Sequence, residues 1–238
     1  VDAGPFREQL RLKDSEITVV TVSRLDSFLK GESLFRTIAT IGALGRELPL
    51  RFVLVGDGVE RAKLKKQAAD VNEQLGRTAV IMTGQLLDPR PAYAAADIVI
   101  GMGGSALRGM AFAKPVIVVG ERGFSAPLTP ETSALFLYQG MYGLGDRDAE
   151  NCRLIAHIRD LSENRERLPP LGEYSREFVV RHFSLESVSA HLSDFCRRAA
   201  SDKPRRFVAA ADALRTVAVY LCERRFMTPS RSTMSVQV

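Results

Sequence analysis

Ile17-Thr-Val-Val-Thr-Val22-Ser-Arg24-Leu-Asp-Ser-Phe-Leu-Lys30-Gly31 runs from an apolar segment into a short polar loop that carries two cations six residues apart. Ile17 to Val22 is nearly continuous in β-branched residues, as a strand buried on both faces requires, and Glu32 to Leu44 then changes to helical spacing. Arg24 and Lys30 are therefore expected at the carboxyl edge of a sheet, where open α/β folds put their ligands. A pair of cations there suits a diphosphate. The same two residues also read as a solvated loop arginine and a helix-start lysine, since cations near a turn are common.

Working outward, the pattern repeats. Arg51-Phe-Val-Leu-Val-Gly56-Asp57-Gly58 is an apolar strand closed by a Gly-Asp-Gly turn, and Ala79-Val-Ile-Met-Thr-Gly84-Gln85-Leu86 holds a third strand ending in glycine. Asp97-Ile-Val-Ile-Gly101 is a fourth, followed by Met102-Gly103-Gly104-Ser105 and a helix from about Ala106 to Phe112; Lys114 to Gly120 is a fifth. Strands alternating with helical stretches predict βαβ units and a mostly parallel, doubly wound sheet. Glycines at strand ends let backbone approach a ligand without interference from a Cβ, although each by itself also reads as an ordinary turn glycine.

The ordered set Ser-Arg24-Leu-Asp, Lys30-Gly31, Leu-Val-Gly-Asp-Gly58, Thr-Gly84-Gln-Leu86, Tyr93-Ala-Ala-Ala-Asp97 and Arg108-Gly-Met-Ala-Phe-Ala-Lys-Pro115-Val resembles the donor-binding half of a GT-B glycosyltransferase of family four. The similarity runs from about Glu16 to Val119 and resumes near Phe183-Ser184-Leu-Glu, which looks like the start of that family's closing helices. The resemblance implies a Rossmann-like α/β domain and transfer of a sugar from a nucleotide donor, with retention of configuration and no metal or other cofactor. It implies that Arg24 and Lys30 are catalytic, clamping the donor's diphosphate. Preorganised cations stabilise the charge that develops on a leaving diphosphate without any proton transfer. Gly56, Gly58 and Gly84 are expected around the donor. The amides of Gly103, Gly104 and Ser105, at a helix N-terminus, are expected to add donors and the positive end of a dipole. Leu86, by its match, offers backbone groups to the base.

The departures are informative too. The family carries two glutamates around the loop before this helix, one on the donor sugar and one on the ribose. Counted without gaps they fall at Ile100 and Arg108, and neither is acidic. The Ile100 match is formal, because the segment before Gly101 is short and Ile100 reads as a strand residue. Arg108 is donor-only and cannot accept from a ribose hydroxyl. It either adds a third cation to the phosphates or marks a weakened activity. A non-catalytic nucleotide-binding or partner-docking module is therefore the alternative reading.

At 238 residues, 45% hydrophobic and 26% charged, the chain has core enough for one domain of generous size, whereas a whole GT-B enzyme needs two facing each other. Residues 1–15 look like a hinge from an N-terminal acceptor domain, 16–200 like the donor-binding domain and 201–238 like a basic helix and tail. The expectation is a fragment, inactive alone, of a saccharide- or envelope-building transferase. Cys152, Cys196 and Cys222 fit no zinc spacing or disulfide framework and read as reduced structural thiols of a cytoplasmic protein. His157, His182 and His191 form no catalytic or metal pattern.

The formal charge of +5 is uneven, since Arg197 to Arg231 hold nine Lys/Arg against three Asp/Glu, a net of +6. A basic cluster beside the apolar stretch Phe207 to Cys222 suits an anionic membrane at its inner face, or a helix end packed on another domain. Nucleic acid is not expected, as the cations sit on no reading module. No signal peptide or long apolar run is present. Residues 121–131 read as a loop leading to a helix, Phe136, Tyr138, Met141 and Tyr142 as core cover or cleft lining, and Leu168-Pro-Pro-Leu-Gly172 as a linker.

Overall fold

The alternation of apolar strands and amphipathic helices produces a six-stranded sheet. The computed structural model describes residues 1–27, 30–148, 150–201 and 206–226. Phe28 and Leu29 of the cation-bearing loop, and Lys203, Arg205 and Arg231 of the basic tail, lie outside the described residues. Strand β1 (Ile17–Val22) lies between β2 (Leu50–Val55) and β4 (Ile98–Gly101); β3 (Val80–Gly84) flanks β2, and β5 (Val116–Val119) flanks β4, all parallel. A short β6 (Ser125–Pro127) returns antiparallel along β5. It falls in the segment expected to be loop. Its three residues are too few for a period-2 pattern to register, and pairing with β5 alone defines it.

Helices α1 (Gly4–Gln9), α2 (Gly31–Leu44), α3 (Arg61–Leu75), α4 (Arg90–Ala95), α5 (Gly104–Ala111), α6 (Ser133–Gln139), α7 (Cys152–Glu163) and α8 (Leu168–Phe183) cover the two faces. Successive strand residues point to opposite sides, so each strand feeds two cores. Val19, Phe52 and Leu54 bury against Leu34, Ile38 and Ile41 of α2, Leu64 of α3 and Leu154 and Ile158 of α7. Val20, Val53, Val99 and Val118 bury against Phe6, Tyr93, Met110, Phe136 and Phe178 on the other face. Both layers are predominantly apolar, which explains why the strands read as continuous rather than alternating.

The expected linker at 168–172 is instead the first turn of α8. Pro169 and Pro170 occupy the start of the helix, where a missing amide costs nothing. Gly172 is placed so that a Cβ would overlap the Ala113 carbonyl, and its absence lets α8 close onto the end of α5. Phe136 and Met141 are core residues, Tyr138 is exposed, and Tyr142 donates to Glu121 at 2.5 Å. That bond and burial push the Tyr142 phenol up to about 12.

Residues Val1–Ser187 form one compact unit and Val188–Val238 a second. Helix α9 (Leu185–Ser201) runs from the first into the second, which also contains α10 (Arg206–Phe226). Val188, Leu192 and Phe195 of α9 and Leu214, Val217 and Leu221 of α10 are exposed. The three cysteines are also exposed and unpaired by disulfides, so they contribute nothing to core packing, contrary to the structural role expected of them. Among the described residues no helix is long and apolar enough to cross a membrane.

Candidate functional site

Helices α2 and α5 leave the sheet on opposite faces, because the chain goes outward from β1 to β2 and β3 and then returns to β4 on the other side. The crevice opened by that reversal is where ligands sit in doubly wound folds. Here it is a cleft of about 710 Å³ along the carboxyl ends of β1, β2 and β3 and the start of α5. Arg24, Lys30, Gly56, Gly58, Leu86, Gly104, Ser105 and Arg108 all line it, together with Val22, Ser23, Val55, Asp57, Gln85 and Pro89.

The loop that presents Arg24 is held by backbone hydrogen bonds and one buried side chain. The Ser23 amide donates to the Val55 carbonyl and the Leu25 amide to the Asp57 carbonyl, both at 2.9 Å, while the Glu60 amide donates to the Leu25 carbonyl at 2.9 Å. Leu25 is fully buried as the anchor and Arg24 projects to solvent. Gly56 and Gly58 make this possible, with φ of 143° and 154°. A Cβ on Gly56 would overlap the Ser23 carbonyl oxygen, and one on Gly58 would lie 2.5 Å from that of Leu25. These glycines admit the neighbouring loop that carries Arg24, and both also line the cleft.

Lys30 precedes the first turn of α2, and its carbonyl accepts from the Ser33 hydroxyl at 2.9 Å. Its ammonium is held below the usual lysine range, first by burial and then by the positive charge of Arg24; Asp26 opposes this and Arg108 adds to it. The three cations thus share one field. Arg108 is exposed on α5, its guanidinium folded back towards Gly104, and it neighbours the buried Tyr93 hydroxyl, whose pKa is raised chiefly by burial.

The helix start differs in part from expectation. Gly103 lies outside the cleft lining, and its amide donates to the Met141 carbonyl at 2.7 Å. The Ser105 amide donates to the Met102 carbonyl at 3.3 Å, and the Ser105 hydroxyl donates to the Val22 carbonyl at 2.7 Å, bracing α5 against the end of β1. Of the expected three amides, those of Gly103 and Ser105 are taken up internally, and Gly104 lines the cleft. Gly84 is also outside the lining; its carbonyl accepts from the Gly56 amide at 2.8 Å, and its φ of 78° turns the chain towards Leu86. Ile100 is a buried β4 residue whose carbonyl accepts from the Thr21 hydroxyl at 2.9 Å, as its strand character implied.

Sequence reasoning passed over Asp57 except as part of a turn. Its side chain accepts from the Gly58 amide at 2.8 Å and from Arg61 at 2.9 Å, and it is 41% exposed at the cleft. It also passed over a polar clasp beside the cleft. Glu32 accepts from the amides of Arg122 and Gly123 at 2.9 and 2.7 Å, and Arg36 pairs with Asp148 at 3.1 Å, tying the loop after β5 to α2. Separations of 90 to 112 residues along the chain hide the clasp. Among the described residues no group of three His, Cys, Asp or Glu side chains is arranged to hold a metal.

A sequence profile for "Glycosyl transferases group 1" matches residues 16–140. No curated protein matches the chain. Among solved structures, Anabaena HepE in complex with UDP superposes with a TM-score of 0.59 at 16% identity, over 82% of this chain and 52% of HepE. A point mutant of S. aureus TarM, in complex with Fondaparinux, alpha-GlcNAc-glycerol and UDP, gives 0.56 at 20% identity, over 76% of this chain and 35% of TarM. The C-terminal domain of the group 1 glycosyl transferase LpcC from Francisella tularensis gives 0.55 at 15% identity, over 77% of this chain and 94% of that domain. The chain therefore spans about half the length of HepE and nearly all of the LpcC domain. With the profile covering more than half of its residues and a sheet of matching architecture, the chain belongs to the glycosyl transferases group 1 family and forms the C-terminal, Rossmann-like half of a GT-B fold.

Proposed function

We propose that this cleft binds the nucleoside diphosphate of an activated sugar and serves its transfer, with retention and without a metal, to an acceptor held by a second domain. The observation that carries the reading is the convergence of Arg24, Lys30 and Arg108 on one cleft at the sheet's switch point, beside the start of α5. When the anomeric C–O bond to phosphate breaks, negative charge grows on the leaving diphosphate. Fixed cations and a helix N-terminus stabilise that charge at no cost in reorganisation. Arg24 and Lys30 take the diphosphate, and Arg108 joins them as a phosphate-side cation, a role supported by its effect on Lys30. UDP in the HepE and TarM complexes supports the ligand class. The chain by itself transfers no sugar, since the acceptor side of the reaction lies in the second domain.

Cations occupying a position where the family has a carboxylate favour one other reading, a nucleotide-binding module without transferase activity. A screen of UDP, GDP, ADP, TDP and CMP by thermal shift tests the site itself. A diphosphate at about 100 times its Kd adds roughly 2.7 kcal/mol of stability. The corresponding monophosphate is expected to bind more weakly, and equal affinities refute the clamp. Transfer activity with the acceptor domain present separates the enzyme from the module.

The protein is placed by this proposal in the cytoplasm, its C-terminal region meeting an anionic membrane face. Support comes from the exposed Leu214, Val217 and Leu221 on α10, the helix that also carries Arg215. Cosedimentation with anionic but not neutral vesicles at low salt, lost on removing the residues after Lys203, is the expected outcome; no binding at low salt refutes it.

A further inference from the structure

The cations of the cleft leave one chemical need of a nucleotide unmet, which is an acceptor for the ribose hydroxyls. Arg108 has only donors to offer. The Ser105 hydroxyl is engaged with Val22 and lies 3.2 Å from the Tyr93 hydroxyl, and the Ser23 hydroxyl donates to the Arg24 carbonyl at 2.9 Å. Among the described residues, Asp57 is the one carboxylate lining the cleft.

Its position across the sheet matches the need. Gln85, Leu86 and Pro89 form an apolar and amide-bearing end of the cleft beyond β3, which suits a base. Arg24, Lys30, Gly104 and Arg108 form the cationic end, beside β1 and α5. β2 lies between β3 and β1, one strand spacing of about 4.8 Å from each. The ribose is the middle group of a nucleoside diphosphate, so a ligand laid from the β3 end to the β1 end sets its sugar over the tip of β2. Asp57 is the second residue after that strand. Its Oδ1 receives the Gly58 amide and its Oδ2 the Arg61 guanidinium, which orient the group while leaving lone pairs on both oxygens.

We infer that Asp57 accepts the ribose hydroxyls of the bound nucleotide, so that the cleft selects ribonucleotide over deoxyribonucleotide donors. Arg61 is a positioning residue for it. The inference rests on the nucleotide reading above, and the experiment keeps the two apart.

Isothermal titration of the whole chain with ADP, GDP, CDP and UDP, each against its 2′-deoxy and 3′-deoxy counterparts, measures the preference. The wild-type chain is expected to bind its best ribonucleotide at least about tenfold more tightly than one of the deoxy forms, the span of one hydrogen bond to a charged group. Asp57→Ala is expected to erase that gap by weakening the ribonucleotide alone. Asp57→Asn keeps an oxygen for the Gly58 amide and should retain a reduced gap, which guards against misfolding of the alanine variant. Equal binding of ribo- and deoxynucleotides by the wild type overturns the assignment while leaving the cleft's function intact. So does a gap that survives in Asp57→Ala, since the preference would then come from another group. Failure of every nucleoside diphosphate to bind overturns the nucleotide reading itself, and this inference with it.

Discussion

Replacing Arg24 by alanine should separate ligand binding from folding, because the side chain and its loop are held by different forces. The loop is fixed by the Ser23–Val55, Leu25–Asp57 and Glu60–Leu25 backbone hydrogen bonds and by the fully buried Leu25, none of which involves the arginine side chain. Alanine adopts the same backbone, so stability should move by no more than about 0.5 kcal/mol, as for surface substitutions elsewhere. Affinity for a nucleoside diphosphate loses a hydrogen bond to a charged group, about 1.5 to 3 kcal/mol. That is roughly a ten- to 150-fold rise in Kd. Calorimetric titration gives the first quantity and urea denaturation the second. An unchanged Kd, or a stability loss above about 1 kcal/mol, would falsify this division of labour.

Three further outcomes test neighbouring steps. Gly56→Ala keeps every cation but forces a Cβ into the Ser23 carbonyl at a φ of 143°, so it should cost at least about 1 to 3 kcal/mol of stability and weaken nucleotide binding as well; an unchanged denaturation midpoint would refute the packing role given to that glycine. Lys30 titrates below 10.5 in the free protein, and a bound diphosphate favours its charged form, so affinity should fall as pH rises through that lowered value. Lys30→Arg should flatten the fall and Arg108→Gln shift it to higher pH, whereas a pH-independent Kd up to 10.5 would contradict both. His157 is held below 6.5 chiefly by burial, against a 3.2 Å contact with the Ser125 carbonyl, so its stabilising neutral form is present above 6.5 and that stability is lost as pH falls through the lowered folded value. His157→Gln should flatten this acid limb in denaturation experiments, and an identical limb in the variant counts against the assignment.

Local pattern was enough for the five parallel strands, because a strand buried on both faces is predominantly apolar along its length. The same logic placed Arg24 and Lys30 at a strand's carboxyl end, since a cation cannot stay inside that core and must leave where the strand stops. Pairing and distance were not legible. β6 exists only because β5 offers an edge. The Pro169-Pro170 step looks like a break until the helix that it starts is seen, since proline marks a linker and a first helical turn alike. Gly103 and Gly104 are equivalent in sequence, but the Met141 carbonyl, which reaches the first from far along the chain, turns that amide away from the cleft. Gly56 and Gly58 line the cleft, and only the fold shows that the Ser23–Leu25 loop also lies against them. Asp57 looked like one residue of a turn, and only the order of strands makes it the carboxylate between a cationic and an apolar end of the cleft. The sequence by itself determined which residues had to be inside and which charges had to emerge at the sheet's edge. The tertiary structure decided which of those emerging groups face one another, because their separations are set by strand order rather than by position along the chain.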